Sequence, residues 1–154
     1  MEAIELVKEL ARRTGAALEP DPSGACSFEA DGLAVEIVPL GELDAVALSG
    51  DLGEPPPQEV SRLYRLMLEA NRNFTATFGA TLSLDMVTGR FALCKVLPLK
   101  AQDGESFARE VERFLNTQEA WAGIVRDWRD IPDTETPAPL ADEPDMSNLS
   151  GFRV

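Results

Sequence analysis

Not one histidine occurs in the 154 residues. That absence removes the usual general base near neutral pH, the commonest metal ligand and every histidine-based triad. Cysteine is almost as scarce. Cys26 and Cys94 stand far apart, each inside a strand-like apolar segment, so neither a CxxC redox pair nor a metal framework can be built from them. Both are expected to be reduced, buried thiols that behave as small hydrophobes. Also missing are a lysine-bearing Gly-rich loop that would cradle phosphate and any apolar run of transmembrane length. Positive charge is in short supply, with 14 basic against 27 acidic side chains and a formal net charge of -13. Phosphate backbones would be repelled, so nucleic acid is a poor partner. A two-carboxylate hydrolase is the catalytic chemistry left open. The acids, however, fall mainly on helix outer faces and in loops, where solvation accounts for them. The chain is therefore read as non-enzymatic, with no cofactor and no metal. The acidic group Asp142, Glu143 and Asp145 fits no calcium-loop spacing.

What is present describes one folded domain. With 44% hydrophobic and 27% charged residues the composition is that of a soluble globular chain. The length suits a single core rather than two. Met1-Glu2-Ala3-Ile4-Glu5 puts acids where a signal peptide needs a basic start, so a cytoplasmic location without membrane insertion is expected. A large negative charge also keeps a protein dissolved while it leaves apolar surface open for a partner.

Periodicity supplies the elements. Residues 2–14 gather Ala3, Ile4, Leu6, Val7, Leu10 and Ala11 on one arc of a helix that Gly15 ends. Cys26, Phe28 and Ala30 alternate with polar neighbours, and Asp31-Gly32 turns the chain into Leu33, Val35 and Ile37, a hairpin signal. Leu43 to Leu48 supplies a third strand, and Gly50 to Pro57 reads as a turn and helix start. A helix over about 58–72 follows, with apolar side chains spread over about 200° of its wheel. Covering one sheet face needs about half of that, so a second subunit is the expected cover for the rest. Gly79 to Met86 and Arg90 to Leu97 form another hairpin closed by Pro98. From Asp103, the stripe of Phe107, Val111, Phe114, Leu115, Trp121, Val125 and Trp128 predicts a long helix, bending near Asn116-Thr117 and ending near Pro132. Both tryptophans are expected to be structural. The order α-β-β-β-α-β-β-α gives an α+β fold, an antiparallel sheet with flanking helices, over residues 1–130. Residues 131–154 carry four prolines and a charge of -4 and are read as a flexible acidic tail, whose ending from Met146 to Val154 has apolar anchors.

Three local patterns, in this order and spacing, carry a resemblance. They are the Asp31-Gly32 strand pair followed by Leu43-Asp44-Ala45-Val46-Ala47-Leu48, and the proline-led helix ending Leu66-Met67-Leu68-Glu69-Ala70-Asn71. The third joins Gly79-Ala80-Thr81-Leu82-Ser83-Leu84-Asp85 to Thr88-Gly89, Phe91-Ala92-Leu93 and Leu97-Pro98. Over roughly residues 1 to 130 the chain resembles the class I type III secretion chaperones typified by the Tir chaperone. The resemblance implies a homodimer that binds the non-globular N-terminal chaperone-binding region of a secreted effector and presents it to components of the secretion apparatus. It also implies that the client adds a strand to the first hairpin and fills a groove lined by Ile4, Val7, Ala11, Phe28, Leu33, Val35 and Ile37. Leu63, Tyr64, Met67 and Leu84 are the expected dimer contacts. A regulatory or adaptor module of the same fold, unconnected with secretion, is the alternative reading.

Overall fold

The computed structural model describes residues 1–128. The tail expected over 131–154, including Asp142, Glu143 and Asp145, lies outside them.

Helix α1 spans Ala3–Thr14 and turns Ala3, Leu6, Val7 and Leu10 inward. Its start is tied by the Glu2 amide, which donates to Glu5 Oε2 at 2.9 Å, and its end by Gly15 in the left-handed conformation. Strands β1 (Cys26–Ala30) and β2 (Leu33–Leu40) form the first hairpin. Asp31 and Gly32 both have positive φ, 51° and 80°, the two-residue turn whose twist matches that of paired strands. Strand β3 (Ala45–Gly53), helix α2 (Val60–Asn73), strands β4 (Thr81–Leu84) and β5 (Phe91–Pro98), and helix α3 (Gly104–Arg126) complete the order read from the sequence.

The strands make one antiparallel sheet ordered β1-β2-β3-β5-β4. Alternate residues of the central strands, Val35, Ile37, Val46, Leu48, Leu52, Phe91, Leu93 and Leu97, enter a core shared with Leu6, Val7 and Leu10 of α1, Leu63 and Met67 of α2, and Phe107, Val111, Phe114 and Trp121 of α3. Each fully buried side chain of this size contributes about 1.5–3 kcal/mol relative to exposure.

Three elements depart from the periodicity. Strand β3 runs through Gly50 to Gly53, where a turn was expected. Gly50 is paired on both sides and the residues after it with β5, and Gly50 is bare for a packing reason, since a Cβ would lie 2.6 Å from the Gln118 side chain. Helix α3 is continuous through Asn116-Thr117, with the Thr117 hydroxyl donating back to the Arg113 carbonyl at 2.8 Å, and it ends at Arg126. Cys94 is half-buried rather than buried like Cys26, because it points to the sheet face that carries no helix, beside Ser49 and Ser83.

Both tryptophans are structural. Trp121 Nε1 donates to the Ala76 carbonyl at 3.0 Å and Trp128 Nε1 to the Glu59 carbonyl at 3.1 Å. Helix α3 and the residues just past its end thereby fasten the loop after α2 and the start of α2, which fixes where α2 lies along β4.

Candidate functional site

A sheet of this order has two edges, β1 and β4, and its backbone chemistry treats them differently. In an antiparallel pair, residues alternate between bonding the neighbouring strand and pointing away from it. On β4 the outward residues are Leu82 and Leu84, and both backbone groups of Leu82 are taken. Its amide donates to Asn71 Oδ1 at 2.8 Å and its carbonyl accepts from Asn71 Nδ2 at 2.9 Å. The Asn71 side chain thus imitates one rung of a neighbouring strand. The next outward amide, Ala80, donates to the Thr77 carbonyl at 3.0 Å. With α2 packed alongside, this edge leaves another chain only the single rung of Leu84.

On β1 the two-residue turn makes Ala30 and Leu33 a bonded pair, so Phe28 and Cys26 also face β2 while Ser27 and Glu29 point outward. Ala25, the preceding outward residue, is closed by the loop. Its amide donates to Asp21 Oδ1 at 3.1 Å and its carbonyl accepts from the Asp21 amide at 2.8 Å. The Ser23 hydroxyl and the backbone amides of Ser23, Ala25 and Gly24 all donate to the Asp21 carboxylate and hold its pKa below the usual range. Among the described residues nothing bonds the outward backbone of Ser27 or Glu29, and both residues are exposed. Among the described residues β1 therefore presents two consecutive open rungs, Ser27 and Glu29, where β4 has only that of Leu84.

Next to it the residues expected to line a groove separate into two sets. Val7, Val35 and Ile37 are at most 1% exposed and belong to the core, so they have no surface to give a client. Their positions at the centre of the α1 and β2 stripes put them under the helices. Ile4, Ala11, Phe28 and Leu33 are half-buried, and Phe28, Ala30 and Leu33 pack on the margin of the core beside the open edge.

The expected dimer contacts divide in the same way. Leu63 and Met67 are 0% and 5% exposed and face the chain's own core, because α2 turns that side onto the sheet. Tyr64 and Leu84 are exposed and adjacent through Phe91, which pairs with Leu84 across the strands and meets the Tyr64 ring edge-on at 5.7 Å between centroids. Leu68, one turn along α2, and Met86 and Val87, beyond the end of β4, extend this exposed apolar surface.

Two further features complete the survey. Arg90 reaches Asp51 with two bonds of 2.8 Å at the far end of the open sheet face and holds the Asp51 carboxyl below its usual pKa. A cavity of about 940 Å³ lies among Leu52 to Pro57, Arg90, Val125 and Arg126. Among the described residues no group of histidine, cysteine, aspartate or glutamate side chains could hold a metal, and no helix is long and apolar enough to cross a membrane.

The periodicity missed Asn71 and Asp21. Asp21 had a local signal, since an aspartate in a Pro-Asp-Pro-Ser-Gly loop is suited to bonding the backbone two residues on. Asn71 had none, because the strand it serves is known only from the tertiary structure.

Residues 5–122 match the Tir chaperone protein (CesT) family. Among solved structures, the fold is similar to a chain of the ExsC–ExsE complex, at 22% identity over 81% of this chain and 97% of that one, with a TM-score of 0.68. It is also similar to a chain of the HopA1–SchA chaperone–effector complex, at 19% identity over 77% and 91%, with a TM-score of 0.64. A chain of the ExoU–SpcU heterodimeric complex from the Pseudomonas aeruginosa type III secretion system follows at 18% identity over 77% and 96%, with a TM-score of 0.61. No curated protein matches the sequence.

Proposed function

Given that this chain belongs to the Tir chaperone protein (CesT) family, we propose that it is a type III secretion chaperone: a non-enzymatic, cytoplasmic homodimer that holds the unfolded N-terminal region of an effector. The observation that carries this reading is the asymmetry of the sheet, interrupted at β4 where Asn71 takes the Leu82 rung and open at β1 over the consecutive rungs Ser27 and Glu29. An unfolded client loses several kcal/mol of ordering free energy on docking, and backbone rungs return some of it whatever the client's sequence. The half-buried Phe28, Ala30 and Leu33 add apolar contact on the same hairpin, and Ile4 and Ala11 are half-buried on α1. Similar folds that occur in chaperone–effector and heterodimeric secretion complexes support the same role.

Tyr64, Leu68, Leu84, Met86 and Val87 form the proposed dimer surface, with Leu63 and Met67 behind it as core. This is a smaller and more peripheral patch than the helical wheel suggested.

The test is copurification with the product of a neighbouring effector gene, before and after Ser27→Pro. Proline removes one outward amide and blocks the approach of a strand, while the β1–β2 ladder keeps its own bonds. The variant should retain its circular dichroism spectrum and lose most of the bound client. A folded variant that retains the client in full contradicts the reading, and so does capture of compact, protease-resistant partners only.

A further inference from the structure

The open edge is bounded, and one of its sides is charged. Asp21 closes the ladder at Ala25 and the Asp31-Gly32 turn ends it after Ala30, leaving Ser27 and Glu29 as the outward rungs between. A guest strand there pairs over about five residues, or about 17 Å. Its side chains must alternate between two surroundings. Those on the helix side lie beside Phe28 and Ala30, which are half-buried and apolar. Those on the open side lie beside Ser27 and Glu29, with Glu36 across from Ser27 on β2 and Asp31 at the turn. Glu29, Asp31 and Glu36 are exposed, and none has an ion-pair partner among the described residues. Arg12 and Arg13 of α1 are both bonded to Glu9 at 2.6–2.8 Å.

Resting on the function proposed above, we infer that β1 selects a short client segment in which apolar residues alternate with basic ones. Lysine or arginine on the open side meets Glu29 directly and faces Glu36 one strand further on, about 10 Å away, whereas an acidic residue there is set against like charge. Client and chaperone are then matched by charge at one short site in addition to apolar burial, and the match weakens with salt.

The probes are two labelled peptides of about five residues, one alternating valine with lysine and the other valine with glutamate, titrated against the full chain while backbone amide resonances are followed. At low salt the lysine peptide should bind about tenfold more tightly, shift the Ser27 and Glu29 amides, and lose most of that preference at high salt. Glu29→Lys combined with Glu36→Lys should reverse the preference. Glu112→Lys with Glu119→Lys on the exposed face of α3 changes the net charge equally and should leave the preference in place. Equal binding of the two peptides overturns the inference, as does a preference that both double variants change alike, since net charge alone then explains it. If the peptides leave the Ser27 and Glu29 amides unmoved while a copurified effector fragment shifts them, the charge rule fails and the chaperone reading stands. If the effector fragment also leaves them unmoved, both fail.

Discussion

At the scale of single residues the least replaceable polar side chain is Gln118. It is 1% exposed, and its Nε2 donates at 3.0 Å to the carbonyls of both Ala34 and Asp51, where the β2–β3 ladder has ended. Replacing it by leucine leaves two carbonyls without a partner, which should cost about 1–3 kcal/mol in urea unfolding. Gly50→Ala should also destabilise, and by less when Gln118 is already alanine, because its steric conflict is with that side chain. Additive effects in this double-mutant cycle would contradict the packing account. The bare Gly50 could not be recognised from sequence, where a glycine before Asp51-Leu52-Gly53 reads as a turn. The side chain that needs its space comes from a helix far along the chain. Asp51 makes a pH prediction. The bonds from Arg90 lower its folded pKa, so the pair's contribution is complete above the carboxyl's ordinary value and is lost as pH falls through the lowered one. Acid unfolding of Asp51→Asn should therefore be shallower than that of the parent.

Among the elements, α2 does the most to decide where the sheet is available. Trp128, just past the end of α3, and Trp121 of α3 anchor its start and the loop after its end, and Asn71 then meets Leu82 squarely. Asn71→Ala should free both Leu82 groups. Faster hydrogen exchange at the Leu82 amide and concentration-dependent self-association through β4 are the expected outcomes, and an unchanged Leu82 amide would show that α2 covers the edge without the side chain. The elements themselves were legible because each has a local cause. The Asp31-Gly32 pair dictates the first hairpin, Gly15 stops α1, and the stripe from Phe107 to Val125 runs along α3. Helix α2 was harder to interpret. Its wide apolar arc correctly signalled surplus surface, but periodicity does not say which part meets the chain's own sheet, and Leu63 and Met67 proved to be that part.

The described residues form a sheet with helices on one face, a two-rung opening on β1 and an exposed apolar surface on α2 and β4, in a chain of strong negative charge. Tyr64→Asp combined with Leu68→Asp should convert a dimer to monomer in light scattering, with the helical signal unchanged, because both side chains are exposed in the single chain. A dimer that survives both changes places the interface elsewhere. The sequence pointed to the neighbourhood of the site, the first hairpin and α1, but not to its form. Half-buried Phe28 and Leu33 and buried Val35 and Ile37 share one alternation, and only the helices above them distinguish rim from core. Which edge is open depends on Asp21 and Asn71, two side chains that act on backbone outside their own elements. The most direct measurement is amide hydrogen exchange of the chaperone with and without its client. Bound client should protect the Ser27 and Glu29 amides and leave Leu82 unchanged. Protection of other surfaces with Ser27 and Glu29 still exchanging freely would contradict strand addition at β1.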